Sequence, residues 1–166
     1  ATYKGYLGIN PLGTVPTMID GEVTMTESAG ISQYLVDRYG PTDLGLNPSD
    51  EDYGIYLNWL HRSDATLTFP QTLVLRYTRL EPEERRIPQV AEDYQRWFLS
   101  RLRCVEETLS DRKYLCAGRF TIADVCIGYA LVLAESLGLS ASFKPNTERY
   151  YSMLKERPAF KRAAGL

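Results

Sequence analysis

Ile9-Asn-Pro-Leu-Gly-Thr-Val-Pro-Thr-Met-Ile-Asp-Gly-Glu-Val-Thr-Met-Thr-Glu-Ser28 decides how this chain folds. The stretch joins an X-Pro bond, a tight hairpin and a polar helix start. Asp20-Gly21 between two short β-rich runs is the strongest local hairpin signal, because both central residues of a type I′ turn take positive φ. Antiparallel strands are therefore predicted near residues 16–19 and 22–25.

Pro16 has no N–H to give a ladder, so it belongs at a strand start or an exposed edge, which leaves the N–H and C=O of Val15 free. A cis Val15-Pro16 bond would display Val15 to an extended peptide. After the second strand, Glu27-Ser28 opens a helix whose Ile31, Tyr34, Leu35 and Tyr39 recur at helical spacing, and which stops at Gly40-Pro41. Ser28 reads as its N-cap. The N–H groups and partial positive charge of a helix N-terminus suit a ligand carboxylate, and the adjacent Glu27 suits a ligand ammonium. Taken singly, Pro16 shapes a strand start and Ser28 caps a helix; together they point to a site for an amino-acid head group.

The chain has 166 residues, 44% hydrophobic and 24% charged, which is enough for a compact core and argues against disorder. A net charge of -2 gives no electrostatic footprint for nucleic acid or an anionic membrane. No apolar run is long enough to span a bilayer, and no charged-then-apolar leader opens the sequence, so a cytoplasmic protein is expected. Cys104, Cys116 and Cys126 form no C-x-x-C pair, and His61 is the single histidine. That pattern argues against a metal site or a disulfide framework and predicts three small buried hydrophobes.

Past Gly40, residues 41–48 are punctuated by turn formers and read as a linker, after which strand-like alternation disappears. Ser49 and Asp52 have capping-box spacing ahead of an apolar stripe at Tyr53, Tyr56, Leu57, Leu60 and Leu67, and Pro70 is expected to kink or interrupt that helix. A second helix over residues 88–109 is predicted to turn Val90, Tyr94, Trp97, Phe98, Leu102, Val105 and Leu109 inward. A third begins at Thr121-Ile-Ala-Asp124, with Thr121 as cap, Asp124 at N3, and Phe120 stapled against Val125. It is apolar nearly all round and is predicted to be the buried centre of the bundle. A shorter helix over residues 146–156 and a turn after Pro158 follow. The fold class is α+β: a hairpin plus helix, then an all-α bundle.

Asn10-Pro-Leu-Gly-Thr-Val-Pro16, Thr26-Glu-Ser28 and Arg119-Phe-Thr-Ile-Ala-Asp124 together resemble the glutathione transferase superfamily, of bacterial type. The resemblance implies the C-terminal part of a thioredoxin-like glutathione-binding domain over residues 1–40, a linker over 41–48 and an all-helical domain over 49–166. It implies that Val15, before a cis Pro16, pairs with the cysteinyl unit of glutathione, that Glu27 and Ser28 hold the γ-glutamyl group, and that Thr121 and Asp124 serve folding. The implied protein is a cytoplasmic homodimer that uses glutathione as co-substrate, and no metal, to conjugate or reduce small hydrophobic electrophiles in detoxification.

The departure from the family pattern lies at the start. Such proteins open with a β-α-β unit of roughly 30 residues, which carries the tyrosine, serine or cysteine that contacts the glutathione sulfur. Residues 1–8 read instead as the approach to a strand, with Tyr3 and Tyr6 as packing residues, so no catalytic residue is assigned. Trp59, Arg62 and Asp64 on the first long helix are the candidates for the electrophile site. Asp64 also resembles an acidic position that in several classes reaches across the dimer to the γ-glutamyl amine, whereas His61 reads as an ordinary helix residue. The alternatives are a glutathione-dependent isomerase, dehalogenase or thiol reductase, and a non-catalytic scaffold of the same fold.

Overall fold

The computed structural model describes residues 4–165. Lys4–Leu7 form a single helical turn, α1, in place of the expected strand approach. The N–H groups of Ile9 and Asn10 both donate to the Tyr6 carbonyl at 2.9 Å, which closes the turn and spends the backbone groups a strand would need. Tyr3 lies outside the described residues.

The hairpin consists of β1 (Met18–Asp20) and β2 (Val23–Met25), with Met18 opposite Met25 and Asp20 opposite Val23. Its loop is therefore Gly21-Glu22, one residue later than predicted. Gly21 has φ 57° and Glu22 has no positive φ. Positive φ at the first central position alone is the pattern of a type II′ turn, so the type I′ expectation is corrected.

Helix α2 (Ser28–Arg38) starts one residue earlier than predicted: Glu27, in extended conformation, is the N-cap, and no side chain caps the turn. The Glu27 carbonyl accepts the first helical bond from Ile31 at 2.7 Å, so Ser28 is already inside the helix and its capping role is not realised. The helix ends before Gly40, where a Cβ would lie 2.6 Å from the Val36 carbonyl oxygen, and the Gly40–Pro41 bond that follows is cis. Tyr34 and Tyr39 both donate to Asp20 Oδ2, which ties the end of α2 to the hairpin.

A long helical rod follows: α3 (Tyr53–Arg62), a π-helical stretch over Ser63–Thr68, α4 (Phe69–Leu75) and a second π stretch over Arg76–Leu80. Pro70 interrupts the rod as expected, by widening it. Proline offers no N–H to the carbonyl four residues back, and the ladder before it lengthens, with Phe69 donating to Asp64 five residues back. The predicted Ser49–Asp52 capping box does not form. Asp52 Oδ2 accepts instead from the Ala117 N–H at 2.6 Å, holding Ala117 at φ 55°, while Asp50 takes the N–H of Asn47.

Helix α4 packs along α5 (Pro88–Arg101), which continues past a break at Leu102 as α6 (Arg103–Thr108). Phe98, Val105 and Leu109 are completely buried, but Trp97 is 45% exposed and stacks on Tyr94 with ring centroids 5.4 Å apart. One residue is about 100° around a helix, so Trp97 and Phe98 cannot share the inner face.

Helix α7 (Ile122–Ser136) runs through the bundle centre and buries Ala123, Ile127, Ala130, Leu131 and Ala134 completely. Its capping box is formed: Asp124 Oδ2 accepts from the Thr121 N–H at 2.8 Å, and Thr121 Oγ1 accepts from Ala123 at 3.3 Å. The helix is not buried all round, because Val125 and Tyr129 face an open apolar groove of about 450 Å³ walled by Phe120, Leu154 and Phe160. Helices α8 (Pro145–Lys155) and α9 (Pro158–Ala164) complete the bundle. The three cysteines are free, and burial raises the pKa of each, that of Cys126 to about 11, so they are poor nucleophiles. Among the described residues no helix is long and apolar enough to cross a membrane.

Candidate peptide-binding site

The register of the hairpin builds this site. Because Met18 lies opposite Met25, the segment entering β1 and the segment leaving β2 emerge at the same end, so Val15-Pro16 and Glu27-Ser28 share one edge of the fold. The Val15–Pro16 bond is cis and Val15 is 80% exposed. Its N–H and C=O find no partner among the described residues. Glu27 is exposed and Ser28 half-buried. The first N–H groups of α2 are left for an outside acceptor, since no side chain caps them. The edge thus offers a free strand-like residue, an uncapped helix N-terminus and one carboxylate.

Beneath the Val15 turn sits a polar clamp for which no role was predicted. Asn10 is only 2% exposed although its neighbours Ile9, Pro11 and Leu12 are exposed. Its Nδ2 donates to the Thr14 carbonyl at 2.8 Å and lies 3.1 Å from Thr14 Oγ1 and 3.3 Å from Thr17 Oγ1. Its Oδ1 accepts from the Leu12 N–H at 3.0 Å, an Asx turn. The Tyr6 hydroxyl donates to the same Thr14 carbonyl and lies 2.7 Å from Thr17 Oγ1. Asn10 followed by Pro11 and Gly13 is a turn signature, and that was the signal available in the sequence.

The three electrophile candidates do not converge. Trp59 is 2% exposed, with the Arg62 guanidinium 5.0 Å above its ring. Both line an open hollow of about 320 Å³ between α3 and α6, shared with Asn58, Glu107 and Thr108. Asp64, on the first π stretch, faces elsewhere. Burial first, and the Glu27 charge second, hold its carboxyl above the ordinary range, opposed by His61 and a Ser63 hydrogen bond. Asp64 therefore feels the charge of Glu27. Among the described residues no group of three or more His, Cys, Asp or Glu is placed to hold a metal ion.

Residues 4–43 match the family model described as glutathione S-transferase, N-terminal domain, and residues 76–158 match that of the C-terminal domain. The chain belongs to the glutathione S-transferase family. Among its relatives, glutathione S-transferase 3 of Schizosaccharomyces pombe is 28% identical over 172 residues, covering 96% of this chain and 70% of that protein. Glutathione S-transferase GstB of Escherichia coli is 28% identical over 161 residues, covering 95% and 76%. Among solved structures, Ure2p5 of Phanerochaete chrysosporium, cocrystallised with 1-(S-glutathionyl)-2,4-dinitrobenzene, superposes with a TM-score of 0.85 at 27% identity, covering 97% of this chain and 78% of that one. The glutathione S-transferase fold thus places a thioredoxin-like hairpin and helix ahead of a helical bundle in this chain.

Proposed function

We propose that the protein uses glutathione as a co-substrate and transfers its thiolate to small hydrophobic electrophiles. The observation that carries this reading is the exposed Val15 before cis Pro16, whose backbone has no partner among the described residues, at the same hairpin end as the uncapped start of α2. The cysteinyl backbone of glutathione pairs with the N–H and C=O of Val15 as an added strand. The γ-glutamyl carboxylate accepts from the backbone N–H and the hydroxyl of Ser28, and its ammonium lies against Glu27, with Asp64 as a second carboxylate. In conjugation, the thiolate forms a C–S bond as the C–halide bond of a halo-dinitrobenzene breaks and halide leaves. Tyr6 does not assist the sulfur, because its hydroxyl is committed to Thr14 and Thr17.

On this reading residues 1–40 are the glutathione-binding part, 41–48 the linker and 49–166 the helical domain of a cytoplasmic homodimer that acts in detoxification. Pairing of two copies would cover exposed apolar residues such as Leu12, which is 74% exposed. The test is calorimetric titration of the protein with glutathione, followed by turnover of 1-chloro-2,4-dinitrobenzene. Saturable binding that weakens roughly tenfold in both Glu27→Gln and Ser28→Ala is expected, the size of a charge-assisted or helix-terminus contact. No saturable binding would sink the reading. Binding without turnover of this or other electrophiles would leave the scaffold alternative.

A further inference from the structure

The Thr14 carbonyl has both of its lone pairs occupied. Asn10 Nδ2 donates to it at 2.8 Å and the Tyr6 hydroxyl donates to it from the other side. Tyr6 has a single proton, and it goes to that carbonyl. The hydroxyl of Thr17, 2.7 Å away, must then donate to the Tyr6 oxygen, while Thr17 Oγ1 accepts from Asn10 in turn. Asn10, Tyr6 and Thr17 thus form a closed set around one backbone oxygen.

This grip has a directional consequence. The cis bonds among the described residues are Val15–Pro16 and Gly40–Pro41, so the Thr14–Val15 peptide is trans. In a planar trans peptide the C=O and N–H point in opposite directions. Two donors that hold the Thr14 oxygen inward therefore aim the Val15 N–H outward, where it has no partner within the described residues. The burial pattern has the same sense, with polar Asn10 inside while Ile9, Leu12 and Val15 lie outside. Such an inversion sacrifices apolar burial to fix a loop, as positioning shells around binding sites do.

We propose that Asn10 and Tyr6 are positioning residues, which lock the Thr14–Val15 peptide plane so that the Val15 N–H is preset as the donor to the backbone carbonyl of an extended thiol peptide. This rests on the reading that Val15 pairs with glutathione. Neither residue touches the ligand; both act through the Thr14 carbonyl.

The experiment compares glutathione affinity and thermal midpoint in Tyr6→Phe, Asn10→Asp, Thr17→Val and Thr17→Ser. Tyr6→Phe removes only the hydroxyl, and Asn10→Asp keeps the acceptor used by Leu12 while deleting the donor. Tyr34→Phe, which removes a hydroxyl at the far end of the hairpin, is the control for general loosening. Weakening of roughly fivefold or more is expected for Tyr6→Phe, Asn10→Asp and Thr17→Val, the size of the net contribution of one hydrogen bond. Thr17→Ser should restore normal affinity, and Tyr34→Phe should lower the midpoint without changing affinity. Glutathione binding that is normal in the parent and unchanged in Tyr6→Phe and Asn10→Asp overturns the clamp alone. Affinity that merely tracks the midpoint across all five variants also overturns it. Absence of binding in the parent protein overturns the site reading and the clamp with it.

Discussion

Tyr150 donates its hydroxyl to Asp124 Oδ1 at 2.8 Å in the centre of the bundle, where both side chains are completely inaccessible to solvent. The same carboxylate accepts from the Leu115 and Thr121 N–H groups at 3.2 and 2.8 Å, so one side chain joins the loop before α7, the start of α7 and the middle of α8. Deleting it takes the acceptor from these three buried donors and from the Thr121 hydroxyl, which donates to Oδ2 at 3.3 Å. Asp124→Ala is expected to cost about 3 kcal/mol, combining a lost cap with stranded polar groups. A drop in the urea midpoint at constant slope would show it. A loss below about 0.5 kcal/mol, within the range of ordinary surface substitutions, would contradict the network.

The charge on Asp124 has the opposite sign of effect from that of a surface carboxylate. Burial outweighs its hydrogen bonds and holds its pKa above 3.8. The folded state therefore keeps a proton that the unfolded chain has already released. This contribution to stability is fully present below the unfolded value and is lost as pH rises through the folded one. Asp124→Asn cannot titrate, so the stability difference between parent and variant should shift against the parent across that window. A pH-independent difference would mean that Asp124 ionises normally.

What was legible in the sequence had local causes. The hairpin, the stop at Gly40, the Thr121–Asp124 box and the buried α7 stripe each follow from a few neighbouring residues and a fixed period. Asp52 was misread because two donors compete for one carboxylate, and the winner, the N–H of Ala117, is 65 residues away. The Asn10 clamp was missed for a related reason: its partners Tyr6, Thr14 and Thr17 are near in sequence, but only the folded turn makes them converge. Asp64 was grouped with Trp59 and Arg62 because all three lie on the first long helix, but two residues past Arg62 is about 200° around a helix, which takes Asp64 off the Arg62 face.

Asp20 gives a second pH effect with the reverse sign. The hydroxyls of Tyr39 and Tyr34 hold its carboxylate below 3.8. Its contribution is present above the unfolded value and is lost as pH falls through the folded one. Because the contact joins the hairpin to the end of α2, the loss should be local. Amide exchange in β1 and β2 should accelerate on acidification sooner than exchange in α7. In Asp20→Asn that early acceleration should already be present at neutral pH. Simultaneous opening of the hairpin and α7 would count against a local tie.

On the proposed reading, Asp64 links the pH response to the ligand. In the free protein, burial and the charge of Glu27 disfavour its ionisation. An ammonium placed between the two carboxylates reverses that balance, because an opposite charge favours the ionised form. Glutathione binding should therefore lower the Asp64 pKa and release protons at pH values where the free carboxyl is partly protonated. Linkage then requires affinity to fall as pH falls from neutrality through the raised Asp64 pKa. Calorimetry in two buffers of different ionisation enthalpy measures the released protons directly. In Asp64→Asn the release should disappear over that range and neutral-pH affinity should weaken about fivefold, the size of one charge-assisted hydrogen bond. Glu27→Gln should weaken binding while retaining a release from Asp64, diminished because the Glu27 charge no longer raises its pKa. Proton release that survives unchanged in Asp64→Asn would assign the titration to another group and remove Asp64 from the ammonium site.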